Sequence, residues 1–339
     1  MKKVSLKDIA TAAGVSTALV SYVLTNKEKE ARIGEEMAKK IREIARQLNY
    51  QPNHIARSLK SGRSFTIGLI VADISNPFFG NIARTIEDEA KKNNYTVIFG
   101  SSDENVDKSQ DLIHVLLNRQ VDGLIITPTE GSEQQLLQLQ SQHVPFVLID
   151  RYFPEIAANH ITVNNQEAAF QAVSHLVKAG RKRIGMVAYK TTLQHISERI
   201  QGYQAALQQH ELPAPASLLK RARYSHLKTD IETAIDGLLK GKHPADALFF
   251  ATNSLAIEGL KYINTLGIHI PNDLAVITFD EAEALDLFYA PVTFVKQPIL
   301  DMGKAAVRVL LDQIKDNTTA VSNICIDTTL IVRKSCGSQ

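Results

Sequence analysis

The chain has 339 residues, 44% of them hydrophobic and 22% charged, which implies two or three globular domains and excludes a fibrous or disordered chain. Its formal charge of +2 is unevenly spread: residues 1–64 hold 13 Lys+Arg against 6 Asp+Glu, and the remainder 25 against 30. The basic end is therefore suited to a polyanion, and the lack of any apolar run of about 18 residues excludes a membrane-spanning segment.

The opening MKKVSLKDIA has lysines with no apolar stretch behind them, so no secretory signal is expected and the location expected is cytoplasmic. Cys325 and Cys336 stand outside any CxxC or Cys/His cluster, so reduced thiols are expected, with no metal site and no cofactor.

In SLKD, Ser5 can cap a helix with Asp8 completing a capping box. Leu6, Ile9, Ala10 and Ala13 follow at helical spacing, and Gly14 stops the helix in a short turn that Val15 plugs. Ser16 can cap a second helix that buries Val20, Val23 and Leu24. Two short helices about a glycine turn form a helix-turn-helix, whose second helix can enter a major groove. A third helix is expected over Gly34–Leu48, with Met37, Ile41, Ile44, Ala45 and Leu48 inward.

The next stretch, YQPNHIARSLKSGRS at 50–64, has Pro52 to open a helix and Gly62 to close it. About eight residues are too few for an isolated helix in water. Two readings stay open for it: a frayed linker with Arg57, Lys60 and Arg63 solvated, or a helix formed only against a second copy or DNA.

From Phe65 strands and helices alternate, the mark of parallel sheets with both faces covered. Strands are expected at TIGLIVADI, YTVIFGSS, VDGLIITP and PFVLID. The series restarts after Val163 with RIGMVAY, a strand near Leu218–Tyr224, ALFFA and LAVITFD. Two similar doubly wound halves imply a two-lobed, sugar-binding-protein-like domain, to both lobes of which the tail VTFVKQP…CIDTTLIVR returns. Ligands in such sheets bind beyond the carboxyl ends of the strands. Polar residues just past strand ends are Asp73, Asn76, Asp150, Arg151, Lys190, Asn253 and Asp280; Phe78 and Phe79 could stack a sugar ring. Mixed donors and acceptors with aromatics suit a polyhydroxylated ligand.

Three stretches together, LKDIAxxAGVSxxxVSxVL at 6–24, LNYQPNxIARSLKSG at 48–62 and TIGLIVADISNPFF at 66–79, resemble the lactose-repressor (LacI/GalR) family of bacterial transcription regulators. The resemblance extends more loosely through nearly the whole chain. It implies an all-α helix-turn-helix DNA-binding domain at 1–49 and a hinge at 50–64. It also implies an α/β periplasmic-binding-protein-like domain at 65–339, with an N-lobe of about 65–163 and 293–322 and a C-lobe of about 164–290 and 324–339.

The resemblance further implies that Thr17, Ala18 and Tyr22 touch base edges, with Ser16, Ser21 and Asn26 on the DNA backbone. Many relatives carry Arg at the position of Tyr22; tyrosine cannot make the bidentate fork to guanine, so a different operator is expected. The loop NKEKEAR is a few residues longer than in relatives. In the hinge, Asn53 would cap, Ala56 would let the backbone approach the minor groove beside Arg57, and Leu59 would be the wedge between base steps. Asp150, Arg199 (three before Gly202), Asn253 and Asp280 match positions that grip the effector, with Gln297 at a crossover beside the cleft. Relatives commonly have Asp where Asn165 and Ser254 stand, a departure that bears on which ligand is taken.

The expected function is a repressor of carbohydrate-use genes: a homodimer on a palindromic double-stranded DNA operator, gated by a sugar-like effector. The alternatives are gating by a protein co-regulator on the lobe surface, or a sugar-transport binding protein, which the basic N-terminal domain opposes. An enzyme is not expected, because GxGxxG, GxxxxGK[ST] and GxSxG are all missing and the histidines are scattered.

Overall fold

A computed structural model describes residues 4–50, 62–316 and 320–337. The chain divides into two compact units, Met1–Ser64 and Phe65–Gln339.

In the first unit, α1 (Leu6–Ala13) opens with the expected capping box: the Asp8 carboxylate accepts from the Ser5 N–H at 2.7 Å, and the Ser5 hydroxyl accepts from the Asp8 N–H at 3.4 Å. Gly14 ends it at φ +73°, a left-handed conformation that glycine adopts without Cβ strain. α2 (Thr17–Leu24) is capped by Ser16, whose hydroxyl accepts from the Leu19 N–H at 3.2 Å. α3 (Glu35–Gln47) starts at Gly34, which has no side chain to cap it, and Glu35 and Glu36 supply the negative charge that a helix start favours. Ile9, Val20, Val23 and Ile41 are fully buried where the three helices meet. The loop between α2 and α3 is pinned by Arg42, which donates to Glu28 at 2.6 Å and to Asn26 Oδ1 at 3.2 Å.

The second unit has two lobes. The first takes β1 (Thr66–Val71), α4 (Pro77–Lys92), β2 (Thr96–Ser101), α5 (Val106–Asn118), β3 (Gly123–Ile126), α6 (Glu133–Ser141), β4 (Phe146–Ile149) and β5 (His160–Val163). The second takes α7 (Asn165–Lys178), β6 (Ile184–Tyr189), α8 (Gln194–Gln209), β7 (Leu219–Ala222), α9 (Leu227–Leu239), β8 (Ala247–Phe250), α10 (Asn253–Thr265), β9 (Ala275–Phe279) and the short α11 (Glu283–Asp286). The chain ends through β10 (Thr293–Lys296), α12 (Ile299–Lys315), β11 (Asn323–Ile326) and β12 (Thr329–Ile331).

The sheets run β2-β1-β3-β4-β5-β11 and β7-β6-β8-β9-β10-β12, so each strand of one has a counterpart in the other. Pairing is parallel except between β10 and β12. Central strands β3, β4, β8 and β9 are buried throughout, as sheets covered on both faces require.

The expectation that 293–322 belongs to the N-lobe and 324–339 to the C-lobe needs correction at both joins. β10 extends the second sheet, with Thr293 opposite Ile277 of β9, and the chain crosses to the first lobe only after it. β11 belongs to the first sheet, with Asn323 opposite His160 of β5. Four-residue runs such as TFVK and NICI carry no periodicity that tells which sheet edge they join. Three segments therefore link the lobes. Two of them are tied by Asn164, whose amide donates to Asp327 at 3.0 Å and accepts from the Thr328 N–H at 3.0 Å.

The α7–α8 contact sets the position of Arg199. A Cβ on Gly202 would lie 2.1 Å from the Gln166 carbonyl oxygen, so the helices touch backbone to backbone there. Arg199, nearly one turn earlier on α8, is buried to 1% exposure.

Candidate functional site

Side chains from both lobes line a void of about 430 Å³, its open mouth included. Nine expected residues line it: Asp73, Asn76, Phe78, Phe79, Asp150, Arg151, Arg199, Asp280 and Gln297.

Asp150 ends β4 and Asp280 ends β9, the equivalent strands of the two sheets. Both take positive φ, +70° and +72°, a region that Asp and Asn tolerate better than most residues. Burial pushes the Asp150 carboxyl up to about 6, against the pull of Arg151 and Arg199. Burial also raises Asp280, opposed by Arg199 and by the Gln297 amide, which donates to it at 2.6 Å. Arg199 donates to Asn165 Oδ1 at 2.9 Å and to the Ala251 carbonyl at 2.8 Å. It also faces Asp280 at 3.9 Å and lies 3.5 Å over the Phe279 ring. Burial lowers its pKa, with Asp280 and Asp150 resisting.

Arg151 is held by Glu104 through two hydrogen bonds of 2.7 Å each, a bidentate pair. Burial alone would lower the Arg151 pKa; Glu104 first, with Asp150, more than reverses that. His195 is buried; desolvation, then Arg151 and Arg199, hold its pKa well below the ordinary value, so its ring is neutral.

Several bonds close the cleft from lobe to lobe. Asn253 Nδ2 donates to Asn76 Oδ1 at 3.1 Å, and Asn76 Nδ2 to Asn253 Oδ1 at 3.3 Å. The Tyr224 hydroxyl donates to the Asp73 carboxylate. Glu130 accepts from the Thr192 N–H at 2.9 Å and from the Thr191 hydroxyl at 3.0 Å.

Two expected site residues are placed differently. Asn253 stands behind the lining and acts through Asn76. Lys190 does not line the void: it follows β6, but its side chain lies exposed in solvent. Glu104, Tyr189, Tyr224 and Thr252 line the cleft although sequence reasoning did not select them, and His195 and Ser254 were noticed without being assigned to it. The strand-end rule would have reached Glu104 and Tyr224 had it been applied to edge strands β2 and β7. Among the described residues no group of His, Cys, Asp or Glu is arranged to hold a metal, and no helix is long and apolar enough to cross a membrane.

On the first unit, Thr17, Ala18 and Tyr22 are exposed along α2, Tyr22 at 46%. Ser16 spends its hydroxyl on the α2 cap, and Ser21 is half-buried. Asn26, at φ +56°, has its amide oxygen engaged by Arg42. Asn53, Ala56, Arg57 and Leu59 lie outside the described residues.

Residues 5–53 match the model of bacterial regulatory proteins of the lacI family, and 173–336 match a periplasmic binding protein-like domain. The HTH-type transcriptional regulator RegA of Clostridium acetobutylicum is 34% identical over 337 residues, covering 98% of this chain and 99% of that protein. The crystal structure of a LacI family transcriptional regulator from Enterococcus faecium with bound ribose is 26% identical with a TM-score of 0.70, covering 80% of this chain and 98% of that one. A lac repressor dimer bound to operator and the anti-inducer ONPF shares the fold at a TM-score of 0.84 and 22% identity, covering 99% of this chain and 100% of that one. The chain belongs to the lacI family of bacterial transcriptional regulators, and it is a DNA-binding regulator with a helix-turn-helix head and a two-lobed periplasmic-binding-protein-like domain.

Proposed function

We propose that the chain is a cytoplasmic repressor of carbohydrate-use genes, gated by a small hydroxylated ligand bound between the lobes. The observation that carries this reading is the cleft: buried charged and amide groups from both lobes converge on one void, and hydrogen bonds such as Asn253–Asn76 and Thr192–Glu130 join the lobes beside it. A ligand seated there touches both lobes, so it favours one lobe spacing over another by its differential affinity for the two. About 3 kcal/mol of such difference changes operator occupancy more than a hundredfold. The ribose bound to the Enterococcus faecium relative supports a sugar as the ligand.

In this reading residues 1–49 are the reading head, 50–64 the hinge and 65–339 the gated domain. Thr17, Ala18 and Tyr22 read base edges in the major groove while Ser16, Ser21 and Asn26 meet the backbone. In the hinge, Asn53 caps, Ala56 and Arg57 approach the minor groove, and Leu59 wedges between base steps. One head buries too little to be specific, so two copies bind a palindromic operator. Exposed apolar side chains on the gated domain, Phe99 at 58% and Leu287 at 86%, supply surface for a homodimer.

Selecting operators from random DNA with the full chain, then measuring binding against salt, tests this. The expected result is a palindromic consensus with a steep salt dependence. Leu59→Ala is expected to weaken specific binding far more than non-specific binding. Equal losses would remove the wedge, and no consensus would contradict the operator reading.

A further inference from the structure

We propose that the cleft takes an uncharged, hydroxyl-rich ligand and rejects its phosphate ester. This rests on the cleft being the effector site. Four carboxyl groups, Asp73, Glu104, Asp150 and Asp280, line it against two guanidiniums, Arg151 and Arg199. Even with Asp150 and Asp280 both protonated, two carboxylates balance two cations, so the lining is not net positive.

Both guanidiniums already have protein partners. Glu104 grips Arg151 at 2.7 Å through two oxygens, and a phosphate would have to displace that carboxylate. Arg199 gives two of its five N–H donors to Asn165 and Ala251 and faces Asp280 at 3.9 Å.

Two helix starts at the cleft, the other common anion cradle, each have an N–H already taken by a side chain. The Phe78 N–H at the start of α4 donates to Asn76 Oδ1 at 3.0 Å, after a proline that brings no N–H. At α10 the Leu255 N–H donates to the Thr252 hydroxyl at 3.4 Å.

What the lining residues leave without a hydrogen bond is a mixture of donors and acceptors. Gln297 Oε1, Arg151 Nε and His195 Nδ1 are buried without a hydrogen-bond partner among the described residues. Gln297 Oε1 can only accept, Arg151 Nε can only donate, and the neutral His195 ring does one or the other by tautomer. Hydroxyl groups both donate and accept, so a polyol can satisfy all three. A phosphate dianion only accepts: it leaves Gln297 Oε1 unmet and meets Asp150 and Asp280 with like charge. An ammonium only donates and leaves Arg151 Nε unmet. The rings of Phe79 and Tyr189, also in the lining, offer apolar faces for the C–H side of a sugar.

The test is calorimetry on the full chain with matched probes: ribose and ribose 5-phosphate, glucose and glucose 6-phosphate, fructose and fructose 1-phosphate, glucosamine, and inorganic phosphate. The expected result is that at least one neutral sugar binds while its phosphate binds ~100-fold more weakly or not at all, since like-charge juxtaposition costs that much. Inorganic phosphate is expected not to compete. Glu104→Gln, which frees Arg151 and removes one negative charge, is expected to raise the phosphate-to-neutral affinity ratio about tenfold. A phosphate ester binding as tightly as its parent, glucosamine binding more tightly than glucose, or an unchanged ratio in Glu104→Gln would overturn the charge rule and leave the effector cleft standing. If none of the probes bound, the reading of the cleft as a site for a hydroxylated effector would fall, and this inference with it.

Discussion

The two lobes use the same backbone device and surround it differently. Asp150 and Asp280 end equivalent strands at nearly the same positive φ, and both are buried at the cleft. Asp280 is supported by its own lobe and the crossover: Gln297 donates to it at 2.6 Å and Arg199 stands at 3.9 Å. Asp150 faces Arg151 Nε at 3.5 Å, but that guanidinium gives its paired hydrogen bonds to Glu104. Burial prevails at both aspartates, raising Asp280 as well, and it takes the Asp150 carboxyl up to about 6. Pseudo-symmetric geometry thus yields one aspartate fixed by protein partners and another held ready for a ligand.

The largest effect is expected at the contact that aims Arg199 and has no described role in the first lobe. Gly202→Ala would push a Cβ into the Gln166 carbonyl, forcing α7 and α8 apart. A loss of about 3 kcal/mol is expected in denaturant unfolding. A change below about 0.5 kcal/mol would mean the helices have slack and that Arg199 is not rigidly placed.

Asparagine at each aspartate tests the comparison itself, because Asn keeps the shape and tolerates positive φ. Asp150→Asn is expected to stabilise the chain near pH 7.5, by at most about 3 kcal/mol for a shift of this size. The sign follows from the raised folded pKa. Protonated Asp150 costs least, so its stability contribution is present below pH 4 and is lost as pH rises through about 6. The stability difference between wild type and variant should therefore open between pH 4 and 6 and stay flat above about 7. Asp280→Asn is expected to have a smaller effect, because Arg199 and the Gln297 amide offset part of the burial that raises Asp280. An Asp280→Asn effect as large as that of Asp150→Asn in unfolding titrations would erase the distinction between the lobes.

Tyr224→Phe should be smaller still. It removes the hydroxyl that reaches Asp73 across the cleft mouth, where Tyr224 is 41% exposed and its bond is weakened by solvent. About 1 kcal/mol or less is expected from melting curves, together with a more open form in small-angle scattering of the ligand-free chain. A more closed form would show that Tyr224 props the mouth rather than latching it.

The sequence made the alternating elements and the head legible because their signals are local. Ser5–Asp8, Gly14 and Ser16 mark helix ends by their own chemistry, and all three act as caps in the structure. The strand-end rule likewise reached Asn76, Asp150 and Asp280. Partnerships between distant segments left no such trace. Glu104 meets Arg151 across 47 positions, and Tyr224 meets Asp73 across 151. Lys190 satisfied the rule and still points to solvent, because a position past a strand end does not fix which way a long side chain turns. Likewise TFVK and NICI read as strands but could not be assigned to their sheets.

The most direct test is fluorescence anisotropy of the full chain on its selected operator, titrated with the neutral sugar that binds, in wild type and Asp150→Asn. The expected result is that the sugar changes wild-type operator affinity at least tenfold, and that Asp150→Asn binds the operator normally without responding. An equal response in both proteins, or sugar binding that leaves operator affinity unchanged, would contradict it.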